Sequence, residues 1–175
     1  MAEFRYCMPF INKHEGYRKF TDDPDDPGGP TMNGITLALA TRYGITTVYD
    51  LQRMTDDQVN TIYREEFWRF DALDSQCMAT KVMDFCVNFG ERVGVKLLQQ
   101  ALVDLVVECT VDGSFGPKTA AAVNSATHDE LFTHICTEAS ERYNDIVAHR
   151  AASKKFLAGW KARANDDPSQ CEEEK

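Results

Sequence analysis

The sequence predicts an all-α fold, on three observations. Apolar residues recur at helical spacing through most of the chain. Two capping-box patterns, at Thr55 and Thr127, mark helix starts. No stretch alternates polar and apolar residues as a half-buried strand does. At 175 residues, 43% apolar and 27% charged, the chain can bury a core, which excludes wholesale disorder.

The elements follow in order. Phe4, Cys7, Met8 and Ile11 share one face and predict a first helix over about 4–14, ending at the Glu15-Gly16 step. Residues 21–36 hold three prolines and three glycines, which forces a long shaped loop there. A short helix over 36–43 is closed by Gly44. Thr55-Asp56-Asp57-Gln58 opens a helix over 56–70, with Val59, Ile62, Tyr63 and Phe67 as its buried stripe. Helices over 78–89, ended by Gly90, and over 92–108 come next. Pro117 starts a helix to Asn124. Thr127-His128-Asp129-Glu130 opens a long one to His149, with Leu131, Ile135, Ala139, Tyr143 and Ile146 inward. A last helix spans about 154–164, and residues 166–175 form a polar tail. The change of character near residue 92 is the best candidate boundary, dividing 1–92 from 93–165.

Charge and composition narrow the partners. Nineteen Lys and Arg against 28 Asp and Glu give a net charge of −9, which argues against field-driven binding of nucleic acid or an anionic membrane. The longest uncharged apolar-rich stretch, 97–107, is broken by Gln99, Gln100 and Asp104, far short of the ~20 residues a membrane span needs. No secretory leader pattern is visible at the N-terminus. The six cysteines form no Cys-x-x-Cys pair, and five sit in apolar helical patterns, as reduced thiols of a protein made in the cytoplasm do.

Two places carry chemistry. Glu15 ends a helix, where the partial negative charge of the helix terminus favours the protonated carboxyl that a general acid needs; Lys13, His14, Arg18 and Lys19 oppose that effect. The following loop holds Asp22, Asp23, Asp25 and Asp26, the last next to Pro27-Gly28-Gly29. Paired carboxylates are the apparatus of most glycoside hydrolases. A purely structural, solvated loop is the default reading of such a segment and calcium binding a further one, but the EF-hand spacing fails because a ligand position falls on Pro24 or Pro27 and no acid occupies the closing position. No metal or cofactor is expected. Asp84 and Asn88 lie four apart on one helix face and either bind sugar N-acetyl groups or form an internal polar pair. Trp68 and Tyr63 either stack on sugars or belong to the core.

The ordered set of motifs resembles the glycoside hydrolase 108 muramidases. It comprises His14-Glu15-Gly16-Tyr17, the string from Asp23 to Thr36, Phe67-Trp68, the stretches 82–90 and 98–102, 111–119 and 156–163. The resemblance implies a lysozyme-like, mainly α catalytic region over 1–92 and a peptidoglycan-binding-like helical region over 93–165. It also implies hydrolysis of the β-1,4 bond between N-acetylmuramic acid and N-acetylglucosamine. The family's Glu-Gly-Gly-Tyr motif maps onto Glu15 with one glycine missing. Similarity to lysozymes assigns Glu15, Asp26 and Thr31 as catalytic, with Asp23 in reserve. Asp84, Asn88, Tyr17 and Trp68 become the sugar-binding set. The implied partner is bacterial peptidoglycan, met in the periplasm by a monomeric phage endolysin after holin release, or by a bacterial protein after specialised export. A non-catalytic wall-binding or secretion-accessory protein is the alternative.

Overall fold

The computed structural model describes residues 1–22 and 29–171. They are mostly helical, with one small sheet, and form two compact units, Met8–Trp68 and Met1–Cys7 with Arg69–Lys175. The compact units divide after Trp68, because the helix over 76–89 packs on the one that follows it. Among the described residues no helix is long and apolar enough to cross a membrane.

The smaller unit begins with α1 (Met8–Glu15). The predicted single helix from residue 4 is split here. Pro9 has no amide hydrogen and its ring obstructs the preceding turn, so Phe4–Tyr6 forms a separate 3-10 turn and Pro9 falls in the first turn of α1. Three two-residue strands follow, β1 (Phe20–Thr21), β2 (Thr31–Met32) and β3 (Ile35–Thr36), paired antiparallel in chain order. The fold is mainly α, as the sequence predicts, and this small sheet is the part that the helical periodicity does not show. Its register puts Phe20, Met32 and Ile35 in one row and Thr21, Thr31 and Thr36 in the other, since alternate residues point to opposite faces. Asn33 and Gly34 link β2 to β3 with φ of 51° and 73°, the two positive values of a type I′ hairpin turn.

Helix α2 (Leu37–Thr41) is capped by Thr36, whose Oγ1 accepts from the Leu39 amide at 3.2 Å. Helix α3 (Val48–Gln52) was not anticipated; Thr47 caps it by accepting from the Asp50 amide at 3.1 Å. Helix α4 (Asp56–Phe67) forms the reciprocal Thr55–Gln58 capping box, and Val59, Ile62 and Tyr63 are its buried stripe. It stops three residues before the predicted end, where Trp68 turns extended.

The larger unit contains α5 (Gln76–Phe89), α6 (Glu91–Asp104), α7 (Pro117–Ser125), α8 (His128–His149) and α9 (Leu157–Asn165). Nine consecutive residues of α5, Met78 to Cys86, are buried, so α5 is the axis of this core. Helix α6 ends four residues before the predicted end. The Val107 amide donates to Leu102 O at 2.9 Å and the Val106 amide to Val103 O at 2.9 Å, the paired bonds of a Schellman stop. The second capping box does not form, because Thr127 makes no side-chain cap bond; Asp129 and Glu130 instead place negative charge at the start of α8.

Two charged residues of α5 lie inside this core. Lys81 has no exposed surface, and its ammonium donates to Arg163 O and Asp166 O at 2.8 Å each, satisfying carbonyls at the end of α9. Burial lowers its pKa, against the pull of Asp84. Three residues on, Asp84 accepts from Arg163 Nε at 3.0 Å and Nη2 at 2.8 Å, with side-chain exposures of 0% and 14%. Five cysteines, Cys7, Cys77, Cys86, Cys109 and Cys136, are unbridged. Burial pushes the Cys86 thiol far up and that of Cys136 to about 11.

Removing one partner of a buried pair strands the other charge. Arg163→Met should cost about 3–5 kcal/mol in chemical denaturation, whereas Asp84→Leu combined with Arg163→Met should recover most of that loss.

Candidate active site

Glu15 is the last residue of α1 and is half-buried. Its carboxyl lies against Gly34. A Cβ on that residue would lie 3.1 Å from Glu15 Cδ and 3.1 Å from the Tyr63 hydroxyl, and would collide with Glu15 Oε2. The I′ turn therefore brings bare backbone up to the carboxyl, which only glycine permits. Tyr63 of α4 is 1% exposed and donates to Asn33 O at 2.7 Å, which fastens the turn to the core. Three elements thus meet at one point: the end of α1, the β2–β3 turn and the middle of α4. The other half-buried glutamate at α4, Glu66, is committed elsewhere. It accepts from Tyr43 at 2.6 Å and from Arg42 at 2.9 Å, and burial together with this bond raises the Tyr43 hydroxyl to about 12.

Thr31 stands in β2 beside the same turn, one register step before the Met32–Ile35 pair. Its hydroxyl shares a hydrogen bond of 2.5 Å with Thr21 across β1 and β2. The acidic loop joins these two strands. Asp26 and its reserve Asp23 lie outside the described residues.

Of the sugar-binding set, Tyr17 belongs to this neighbourhood. It is 53% exposed; its hydroxyl donates to Asp56 at 3.0 Å and accepts from Arg18 Nε at 3.1 Å. Arg18 also donates to Asp56 at 2.9 Å, and these bonds hold the Asp56 carboxyl below the ordinary aspartate range. Trp68 is 5% exposed and Tyr63 is a core residue, so both take the core alternative. Asp84 and Asn88 belong to the larger unit and do not pair with each other. Asp84 is sealed on Arg163, and Asn88 donates to the Tyr143 hydroxyl at 2.7 Å. A carboxylate with no exposed surface offers nothing to a sugar; its role here is to hold α9.

The packing of Gly34 and the Tyr63 hydroxyl at Glu15 was missed in the sequence. The signal was present, since Asn-Gly between Thr-Met and Ile-Thr is a strong hairpin cue. Among the described residues no group of three or more His, Cys, Asp or Glu is arranged to hold a metal ion.

Residues 8–90 match the family model described as glycosyl hydrolase 108, and residues 93–165 match one described as a predicted peptidoglycan domain. Residues 8–90 form a glycosyl hydrolase 108 domain. No curated protein matches the sequence significantly. Among solved structures, this family 108 hydrolase is similar to Brucella abortus SagA, with a TM-score of 0.74 and 28% identity over 96% of this chain and 92% of that one. It is accordingly a lysozyme-type glycoside hydrolase with a mainly α fold, and peptidoglycan is its substrate and partner.

Two outcomes test the site. Gly34→Ala should destabilise the hydrolase by about 1–3 kcal/mol and lower wall clearing by roughly 100-fold, because the new methyl group must displace Glu15. Gly44→Ala has the same backbone penalty, at φ 81°, but meets nothing within 4 Å, and should melt earlier without losing activity per folded molecule. For Asp56, the stabilisation is present above its unfolded value near pH ~4 and is lost as pH falls through the lower folded value. Asp56→Asn should therefore flatten the acid limb of a stability–pH curve, and the difference should shrink in high salt because the pair is exposed.

Proposed function

We propose that the chain is an N-acetylmuramidase that cleaves the β-1,4 bond between N-acetylmuramic acid and N-acetylglucosamine, with Glu15 as general acid. The observation that carries this reading is the placement of the Glu15 carboxyl at the end of α1 against the side-chain-free backbone of Gly34. A proton passes from Glu15 to the glycosidic oxygen as the bond to the anomeric carbon breaks, leaving positive charge on the sugar ring. By the resemblance, Asp26 is assigned to stabilise that charge or to activate the water that adds to it. Thr31, its hydroxyl already oriented by Thr21, positions that water. Addition of water returns a proton to the site and frees a muramic-acid reducing end. The exposed ring of Tyr17, pinned through its hydroxyl, is the sugar contact favoured by its position two residues beyond Glu15. The polymer being the bacterial wall, we infer that the enzyme meets it in the periplasm after holin-type release or specialised export.

Purified Gram-negative peptidoglycan is the assay substrate, with reducing ends identified by mass spectrometry and folding checked by circular dichroism. Wild type should release muramic-acid ends, and Glu15→Gln, which keeps the shape but cannot deliver the proton, should lose at least ~100-fold while staying folded. Glucosamine ends from wild type, or full activity in Glu15→Gln, would overturn the assignment.

A further inference from the structure

The larger unit has a cavity of about 750 Å³ that the reaction above does not use, lined by residues from 107 to 125. It lies where the loop after α6 meets α7. Its charges are of both signs, with Lys118 opposite in sense to Glu108 and Asp112, the last holding Gln99 and the Ser114 amide through Oδ1; Thr110 adds a hydroxyl, while those of Thr119 and Ser125 donate to Ser114 O and Ala122 O. Thr119 is 6% exposed, so part of this polar lining is built into the core. Among the described residues that line the cavity none is aromatic. That composition is poorly suited to a sugar ring, whose face is usually held by an aromatic platform. It suits a short chain bearing free ammonium and carboxylate groups.

The chain leading into the cavity carries a second feature. Val106, next to the lining residue Val107, occupies the left-handed position of the Schellman stop with φ 61°. Glycine is the usual residue there, and a β-branched side chain is strained. Val106 is nevertheless 93% exposed, so the folded chain gains no burial in return. Val103 and Val111 are also exposed for apolar residues, at 40% and 38%. A locally unfavourable residue with no compensating packing marks a surface kept for something outside the chain.

We propose that this cavity binds the peptide stem of peptidoglycan: Lys118 takes a stem carboxylate, Glu108 and Asp112 take an ammonium, and Val106 covers a small apolar side chain. The proposal rests on peptidoglycan as partner and names which part of the polymer this region holds. It gives the C-terminal region a task separate from the glycan chemistry of Glu15.

The test titrates the full chain with the free tetrapeptide stem of Gram-negative peptidoglycan and, in parallel, with chitotetraose, by calorimetry. Wild type should bind the tetrapeptide, and Lys118→Glu should weaken that binding by about 10-fold or more. Val106→Gly should move two readouts in opposite directions. The melting temperature should rise by roughly 2–4 °C as the backbone strain is released, and affinity for the tetrapeptide should fall. A merely structural Val106 would not produce that split. Undetectable tetrapeptide binding by wild type that still cleaves peptidoglycan overturns this proposal and leaves the muramidase reading intact. Tetrapeptide affinity unchanged in both variants also overturns it, as does chitotetraose binding abolished by Lys118→Glu. Tetrapeptide binding without any release of reducing ends supports the cavity and removes the muramidase reading.

Discussion

The missing side chain at Gly34 sets how near the β2–β3 turn can come to the end of α1, and the arrangement of the smaller unit follows from that distance. Because the turn is bare, the Glu15 carboxyl and the Tyr63 hydroxyl both border the space that a side chain at Gly34 would fill. Tyr63 holds the turn through Asn33 O and is itself locked in the buried stripe of α4. The catalytic glutamate proposed here is therefore positioned by rigid elements, while the acidic loop leaves from the opposite end of the same small sheet. A three-stranded sheet of two-residue strands buries little surface; it contributes direction, aligning Thr21, Thr31 and Thr36 in one row.

The larger unit relies on an opposite device, charge placed inside a core. Lys81 and Asp84 are one turn apart on α5, and between them they bind the backbone carbonyls and the guanidinium of the α9 end. Ion pairs of this kind contribute modestly to net stability once desolvation is counted, but they accept few alternative packings. They fix where α9 lies against α5, and Trp160 of α9 then stacks on Tyr143 of α8, with ring centroids 5.2 Å apart. Asn88 completes the group from α5 by bonding the same tyrosine.

Most helices were legible because local signals and burial agree. The Thr55 capping box, the start of α7 at Pro117 and the inward row Leu131, Ile135, Ala139 and Tyr143 all stand as the spacing requires. The departures have identifiable causes. Strands of two residues are too short to show alternation, so the Asn33-Gly34 turn was the sole cue to the sheet. Val106 stops α6 in a conformation that its residue type argues against, so the sequence extends that helix too far. Asp84 reads as a surface ligand on an apolar helix face until Arg163, 79 residues away, is brought to it. Glu15 and Thr31 are singled out by their motif, whereas the contact that places Glu15 comes from Gly34, whose contribution is an absence.

The unbridged cysteines bear on where such a chain can work. Thiolate is the form that oxidants and disulfides attack, and burial keeps Cys86 and Cys136 in the thiol form. Cys7 is also buried, and Cys109 is shifted the same way. The helices are held by packing and by the Lys81–Asp84–Arg163 cluster, with no described cysteine bridged. A fold built in this way needs no oxidant to close its described core, and the described thiols that an oxidant could reach are the part-exposed Cys77 and Cys109.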